Sequence, residues 1–599
     1  MALPIEDYAL IGDNHSAALV GRDGSIDWLC VPRFDSGACF AALLGEERHG
    51  RWLVAPACDV RRISRRYRGD TLVLETEFET EDGAVRLIDC MSRHDDQPDV
   101  VRLVEGVRGR VPMRMQLVIR FDYGSVVPWV RRVGDGTLSA VAGPDALCLR
   151  TPVETRGEDL TTVATFTVGP GERIPFALTW HQSTARVPDP IDPERAIEET
   201  ERWWRDWSAR STYRGRWRDQ VQRSLVTLKA LTYAPSGGIV AAPTTSLPER
   251  LGGVRNWDYR YCWVRDATFT LYALTIAGYT EDAAAWRDWL LRAVAGSPHE
   301  LNILYGLRGE RRVPELELGW LPGYQGARPV RIGNAAAEQF QLDVYGELLD
   351  AMHTARRAGL PPEEYSWNVE RALLDFLETA WKEPDEGIWE VRGPRRHFTH
   401  SKVMAWVAAD RAVKAVERFA LDGPVNRWRR LRDAIHQEVC EKGWNASVGA
   451  FVQYYGSTEL DASLLMMALV GFLPASDPRV RGTVHAIERD LVVDGFVLRY
   501  HPRGSETVDG LPPGEGTFLP CTFWLADNLV LLGREDDATR ICEQLLGVCN
   551  DVGLLAEEYD PRARRFLGNF PQAFSHVALV NTARNLSRGA GPTSHRRGS

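Results

Sequence analysis

The chain has 599 residues, 44 % of them hydrophobic and 26 % charged, a globular balance that excludes intrinsic disorder and fibrous repeats and, at this length, admits up to about four domains. Lys and Arg number 72 against 82 Asp and Glu, a net charge of −10, the wrong sign for neutralising phosphates or coating an anionic membrane, so neither nucleic acid nor a membrane is an expected partner. The 10 cysteines are scattered without any Cys-x-x-Cys, so no zinc cluster, redox pair or other metal site is assigned.

The start, MALPIEDYALIGDNH, places Glu6 and Asp7 where a secretory signal needs positive charge and then an apolar core. The longest apolar run, Leu464 to Leu473, stops at Pro474, short of the roughly 18–20 residues that span a bilayer. With free thiols, this predicts a cytoplasmic protein. Over residues 1–190 the pattern has period two: Leu72, Leu74, Thr76 and Phe78 alternate with Val73, Glu75, Glu77 and Glu79, and Met113, Met115, Leu117, Ile119 and Phe121 repeat it. Asp23-Gly24, Asp82-Gly83 and Gly134-Asp135-Gly136 supply tight turns, and an N-terminal β-sandwich is expected. The basic run Arg61, Arg62, Arg65, Arg66 and Arg68 reads as a solvated strand face.

Residues 191–215, with Trp203, Trp204 and Trp207, read as a helical linker whose aromatic face packs on one or both neighbours. From 216 to 587 the period is helical, and 588–599 reads as a flexible tail. Helices are expected near 217–232, 266–278, 281–296, 336–358, 362–380, 399–420, 425–441, 459–471, 478–490, 517–533, 535–548 and 571–587. Connections after the even-numbered helices are short, whereas those after the odd-numbered ones run to roughly 15–40 residues. In an up-and-down ring every second connection emerges on one face, so the long loops meet at one end of a barrel of six helical hairpins, where binding and catalysis concentrate.

The first long loop holds NWDYRYCWVRDA, with Trp257, Tyr259, Tyr261 and Trp263 beside Arg265 and Asp266. Others carry Trp320, Tyr324, Arg331 and Asn334; Trp389 and Glu390; Arg499, Tyr500 and Glu515; and Glu557, Glu558, Tyr559 and Asp560. Aromatic faces such as Trp257 and Trp389 beside Arg and carboxylates suit a sugar, which offers C–H faces for stacking and hydroxyls for directional hydrogen bonds. Two separated carboxylates perform glycoside hydrolysis, one protonating the leaving oxygen and the other activating water or attacking carbon. Glu390 and Glu557 fit, with Glu558 a rival, and either is equally readable as a solvated loop charge. Asp266 and Asn334 are also readable as helix N-caps, and any rim aromatic as loop packing. His397 and His400 lack a third metal ligand and read as structural. No phosphate-binding Gly-rich loop or nucleophile-elbow Ser appears.

These residues resemble glycoside hydrolase family 15, specifically its bacterial trehalase branch, over essentially the whole chain. The matching motifs are IEDYALIGDNHSAALVGRDGSIDWLCVPRFDS at the N-terminus, then APTTSLPE, NWDYRYCWVRDA, PVRIGNAAAEQFQLDVYGELLDA, HFTHSKVMAWVA, GEGTF, LLAEEYD and GNFPQAFSH. The resemblance implies a β-sandwich followed by an (α/α)6 barrel and an inverting mechanism, with Glu390 in the position of the general acid and Glu557, rather than Glu558, in that of the general base. It places Arg265 and Asp266 on the non-reducing glucose, and Arg499 and Tyr500 on a further sugar contact. It implies trehalose as substrate, with malto- or isomalto-oligosaccharides, the substrates of glucoamylase- and glucodextranase-like members, as the alternative. A disaccharide phosphorylase needs no catalytic base, and a non-catalytic sugar binder need not keep both carboxylates.

Catalysis near neutrality requires a protonated acid, so Glu390 is expected to be raised in pKa and Glu557 to stay ionised. Substrate discrimination is expected from Glu315 to Arg331 and from His501 to Glu515, with a hairpin of the sandwich leaning over the rim. No cofactor is required by the sequence, and the resemblance leaves a phosphate or Mg²⁺ requirement open, as it does the oligomeric state.

Overall fold

The computed structural model describes residues 2–93, 97–134, 136–360, 364–501 and 508–588. Positions 502–507 of the expected discriminating stretch and the expected tail from 589 onward lie outside the described residues. Two eight-stranded antiparallel sheets occupy the chain as far as Gln182. The period-two reading has its counterpart in strand Val111–Val118, where Met113, Met115 and Leu117 are buried and Arg114 is exposed. That strand pairs with Arg51–Pro56, Met115 opposite Val54, and its inward face meets the second sheet through residues such as Leu74 and Phe78.

The basic run is not a wholly solvated face. Arg61 and Arg62 are exposed, but the Arg65 side chain is buried and donates from Nε to Asp551 of the helical region at 3.0 Å. Arg66 and Arg68 both bind Glu75 at 2.8 Å. This edge strand, Val60–Tyr67, faces the helical region, and packing replaces water on one side of it.

A linker helix, Pro193–Ser208, starts on an Asp192 cap whose carboxylate accepts from the amides of Glu194 and Arg195 at 3.1 and 3.2 Å. Its aromatic face serves both neighbours: Trp207 stacks on Tyr279 at 4.0 Å between centroids, and Trp203 lies under the Arg93 guanidinium at 3.6 Å.

Twelve helices follow among the described residues: α1 (Arg218–Ala230), α2 (Val264–Ile276), α3 (Thr280–Ala293), α4 (Asp343–Arg357), α5 (Glu364–Ala380), α6 (Thr399–Phe419), α7 (Val425–Lys442), α8 (Met466–Leu469, led by the 3-10 turn Ala462–Leu465), α9 (Pro478–Asp490), α10 (Leu519–Leu531), α11 (Glu535–Leu546) and α12 (Ala573–Arg588). The even-numbered helices touch in sequence, and α12 returns to α2, closing an inner ring. Helices α2, α4, α6 and α10 are buried on nearly every side, whereas outer α7 buries a single stripe, Trp428, Leu431, Ile435 and Val439. This is an (α/α)6 barrel.

The sandwich braces the long loops at one end of this barrel. Trp28 donates to the Pro243 carbonyl at 2.8 Å, buried Arg260 donates to the Ser36 carbonyl at 3.0 Å, and Trp320 donates to the Tyr123 carbonyl at 3.0 Å. No helix among the described residues is long and apolar enough to cross a membrane.

Candidate active site

The long loops enclose a pocket whose lining residues all belong to the helical region. Among the described residues none of the sandwich lines the pocket.

Glu390 and Glu557 both line this pocket. Glu390 follows Trp389 in the loop before α6 and has φ +57°, a left-handed conformation that costs a non-glycine residue about 1–2 kcal/mol. The surroundings impose it: Gln339 donates to the carbonyls of Glu390 and Val391 at 3.1 and 3.2 Å. At its carboxylate, Oε1 accepts from Trp263 Nε1 at 2.6 Å and from Arg265 at 3.2 Å. Among the described residues no hydrogen bond is made at its other oxygen.

Glu557 is 1 % exposed. Its Oε1 accepts from the Tyr259 hydroxyl at 2.9 Å and its Oε2 from the Asn569 amide at 3.0 Å. Tyr259 and Trp263, four residues apart, meet edge to face at 5.0 Å. One aromatic pair thus holds both carboxylates, each by its own hydrogen bond. Neighbouring Glu558 points the other way along the strand Glu558–Asp560 and does not line the pocket; its Oε2 accepts from the Gly516 amide at 2.8 Å.

The expected protonation pattern is reversed at Glu557. Burial, with Glu249 close by, pushes its carboxyl up to about 8, against the opposing pull of Arg499. Arg499 gives Glu557 no ion pair among the described residues, because its guanidinium is engaged elsewhere: it binds Glu249 at 2.8 Å, Glu515 at 2.8 Å and Glu558 at 3.3 Å. Arg255 joins the same cluster through Asp509 at 2.5 Å and Glu515 at 3.1 Å. Four carboxylates therefore surround two guanidiniums, and burial raises Glu249 and Glu558 above the usual carboxylate range.

Arg265 and Asp266 lie in the first turn of α2. Arg265 donates to the Ile388 carbonyl at 2.9 Å as well as to Glu390. Asp266 is not the N-cap, since the helix begins at Val264 with Trp263 in the capping position. Its carboxylate lines the pocket, its buried Oδ2 lies 3.4 Å from Arg265 Nε, and burial pushes the group up to about 6 against that Arg265 charge. Asn334 does cap, but it caps the 3-10 turn Ala335–Glu338, its side chain accepting from the Ala336 amide at 2.9 Å.

The other candidates divide. Trp389 lines the pocket, its Nε1 held by both oxygens of Asp461 at 3.0 Å. Trp257 lines it too, but guanidiniums of Arg392 and Arg331 sit over its ring at 4.2 and 4.6 Å, engaging it in cation–π contacts. Tyr500 does not line the pocket; its hydroxyl donates to Asp509 at 2.8 Å, which places it in the network behind the wall. Sequence reasoning singled out none of Glu249, Arg255, Asp509 and Phe574 by itself, although Asp509 lies in the stretch expected to discriminate substrates. Glu249 lies within the quoted APTTSLPE motif and Phe574 within GNFPQAFSH, so the motifs that carry the resemblance held the signal for both. Among the described residues no group of three or more His, Cys, Asp or Glu side chains is placed to hold a metal ion.

Comparison with known proteins agrees with this architecture. Residues 215–584 match the family model for glycosyl hydrolases family 15, and residues 1–202 match that for a trehalase-like N-terminal domain. A trehalase of Mycobacterium tuberculosis is 39 % identical, the match covering 98 % of this chain and 90 % of the relative. One of Mycolicibacterium smegmatis is also 39 % identical, covering 98 % and 91 %. Among solved structures, a bacterial glucoamylase complexed with acarbose superposes with a TM-score of 0.74 at 12 % identity, over 98 % of this chain and 94 % of that one. Fold and site define a glycoside hydrolase. The chain belongs to glycosyl hydrolase family 15.

Proposed function

We propose that this enzyme hydrolyses an α-linked glucosyl disaccharide with inversion, and that trehalose, cleaved to two glucose molecules, is the substrate. The reading rests on one observation: two carboxylates enter one pocket, each on a separate hydrogen-bond bracket. Full-length likeness to trehalases supports the choice of substrate.

Glu390 acts as general acid. Trp263 and Arg265 occupy its Oε1, so the proton delivered to the glycosidic oxygen sits on Oε2. Glu557 acts as general base once deprotonated, the Tyr259 hydroxyl and the Asn569 amide stabilising its ionised form against the burial and the Glu249 charge that hold it up to about 8. Asp266, which lines the pocket beside Arg265, accepts from a hydroxyl of the non-reducing glucose. In an inverting site the carboxyl groups stand about 6.5–9.5 Å apart, leaving room for the attacking water.

A proton NMR time course with trehalose, maltose and isomaltose, each with and without phosphate and Mg²⁺, tests this. Inversion of one glucose while the other leaves as the α-anomer gives equal early α- and β-glucose from trehalose. If trehalose persists while maltose or isomaltose releases β-glucose from its non-reducing end, the acid and base stand and the substrate becomes a malto- or isomalto-oligosaccharide.

A further inference from the structure

The β-sandwich carries a second cavity that shares no lining residue with the first. It opens where edge strand Trp129–Gly134 of one sheet and edge strand Arg156–Glu158 of the other come together. Ile119, Val127, Val130, Leu138 and Leu160 make apolar walls.

Arg120 also lines it, only 8 % exposed. Its guanidinium donates to the carbonyls of Ile119 at 2.7 Å and Leu160 at 3.3 Å, and among the described residues no carboxylate pairs with it. Burial holds this arginine below its usual range with no offsetting anion, and the titratable neighbour that feels its charge is His49. A buried cation without a counter-charge is costly. Around the mouth lie exposed Arg131, Arg132, which donates to the Thr155 carbonyl at 3.0 Å, and Arg156, paired with Glu158 at 2.5 Å.

The surface here is unusual in a second respect. Of the twelve exposed large hydrophobic residues among the described residues, three line this cavity: Val127, Val130 and Leu160. Leu160 stands at φ +59° in the two-residue turn Asp159-Leu160, a turn that ordinarily takes Asn-Gly because both residues need positive φ. A bulky side chain held in that conformation and left 73 % exposed at a cavity rim is what a ligand contact accounts for.

We propose that this cavity binds an amphipathic carboxylate, its aliphatic chain along the Val130 and Leu138 walls and its head on Arg120. Apolar walls beside an uncompensated cation match such a molecule in both parts. A second copy of the chain seated here about a two-fold axis would bring Arg131 and Arg132 toward their own equivalents, a repulsion that disfavours it.

Isothermal titration of the full chain with dodecanoate, kept below its micellar concentration, and in parallel with dodecanol and inorganic phosphate, tests the site. Dodecanoate is expected to bind saturably, dodecanol at least tenfold more weakly, and phosphate not at all. Arg120→Met should weaken dodecanoate at least tenfold. Because Arg120 also braces two carbonyls, a second variant is needed, and exposed Val130→Glu should weaken binding at least tenfold with unchanged thermal unfolding. Glucoside turnover should be unaltered in both. Equal affinity for dodecanol, no binding, or indifference to both substitutions overturns the proposal. Co-sedimentation with phosphatidylglycerol vesicles without affinity for free dodecanoate reassigns the face to a membrane surface. A dimer dissociated by Val130→Glu, again without dodecanoate binding, reassigns it to an interface between copies.

Discussion

Replacing Glu557 by Gln should abolish turnover and stabilise the fold, increasingly so as pH rises. The folded protein keeps the Glu557 proton until about pH 8, whereas the unfolded chain releases it near the usual 4.5. Within that window the unfolded state binds fewer protons, so raising the pH favours unfolding; the penalty is absent below 4.5 and complete above about 8. At about 1.4 kcal/mol per pH unit, the buried carboxyl costs roughly 3 kcal/mol by pH 7. A glutamine is spared that cost and keeps both contacts, its oxygen accepting from the Asn569 amide while its nitrogen donates to the Tyr259 oxygen.

For a cooperative unit of about 370 residues, with an unfolding entropy of about 2.1 cal/mol/K per residue, 3 kcal/mol corresponds to about 4 °C in Tm. Thermal unfolding of parent and Glu557→Gln from pH 4.5 to 9 should show curves that coincide at the acid end, separate by about 4 °C at pH 7, and run parallel above pH 8. A variant no more stable than the parent at pH 8, or a gap indifferent to pH, would refute the reasoning.

The remaining predictions concern the same machinery. Glu249→Gln removes the charge that most raises Glu557 after burial, so the acid limb of the pH profile of kcat/KM should move to lower pH. Glu390→Gln should lose on the order of 10²–10⁴-fold in kcat against the disaccharide with a normal unfolding curve, and near-parental turnover would remove it from the mechanism. Trp263→Phe deletes the 2.6 Å donor to Glu390 Oε1 and should lower kcat by about tenfold or more with little change in KM, corresponding to a charge-assisted hydrogen bond of about 1.5–3 kcal/mol. Tyr500→Phe, behind the pocket wall, should instead cost about 1 kcal/mol of stability and leave kcat/KM within about threefold, as urea denaturation and steady-state assays would show.

What the sequence carried was periodicity and loop length. The alternation at Met113, Met115 and Leu117 and the helical spacing of Trp428, Leu431, Ile435 and Val439 each report one side of a local element, and both elements are present. The alternating short and long connections placed Arg265, Asp266, Trp389, Glu390, Arg499 and Glu557 on one rim because ring closure leaves long loops no other end to occupy. Tyr500 was misplaced by the same logic, since loop membership cannot say which of two adjacent side chains faces the cavity. Arg65 was misplaced because a strand face reads as solvated until a second domain covers it with Asp551.

The protonation pattern failed for a related reason, and it bears most on how the site works. Sequence proximity pairs Glu557 with Glu558 and Arg499 with Tyr500, but charge in a buried site is set by groups brought together from distant segments. Glu249, Asp509, Glu515 and Glu558 take up Arg255 and Arg499, so burial, and then the nearby Glu249 charge, raise Glu557 with no cation paired to it among the described residues. Glu390 is held by a guanidinium and an indole N–H converging on one oxygen. Tyr259 and Trp263 join these two environments at 5.0 Å, so a substitution in either ring should perturb both carboxylates, and double-mutant cycles between Tyr259→Phe and Trp263→Phe should be non-additive in kcat by more than about 0.5 kcal/mol. Additivity would mean that the two brackets act as independent supports.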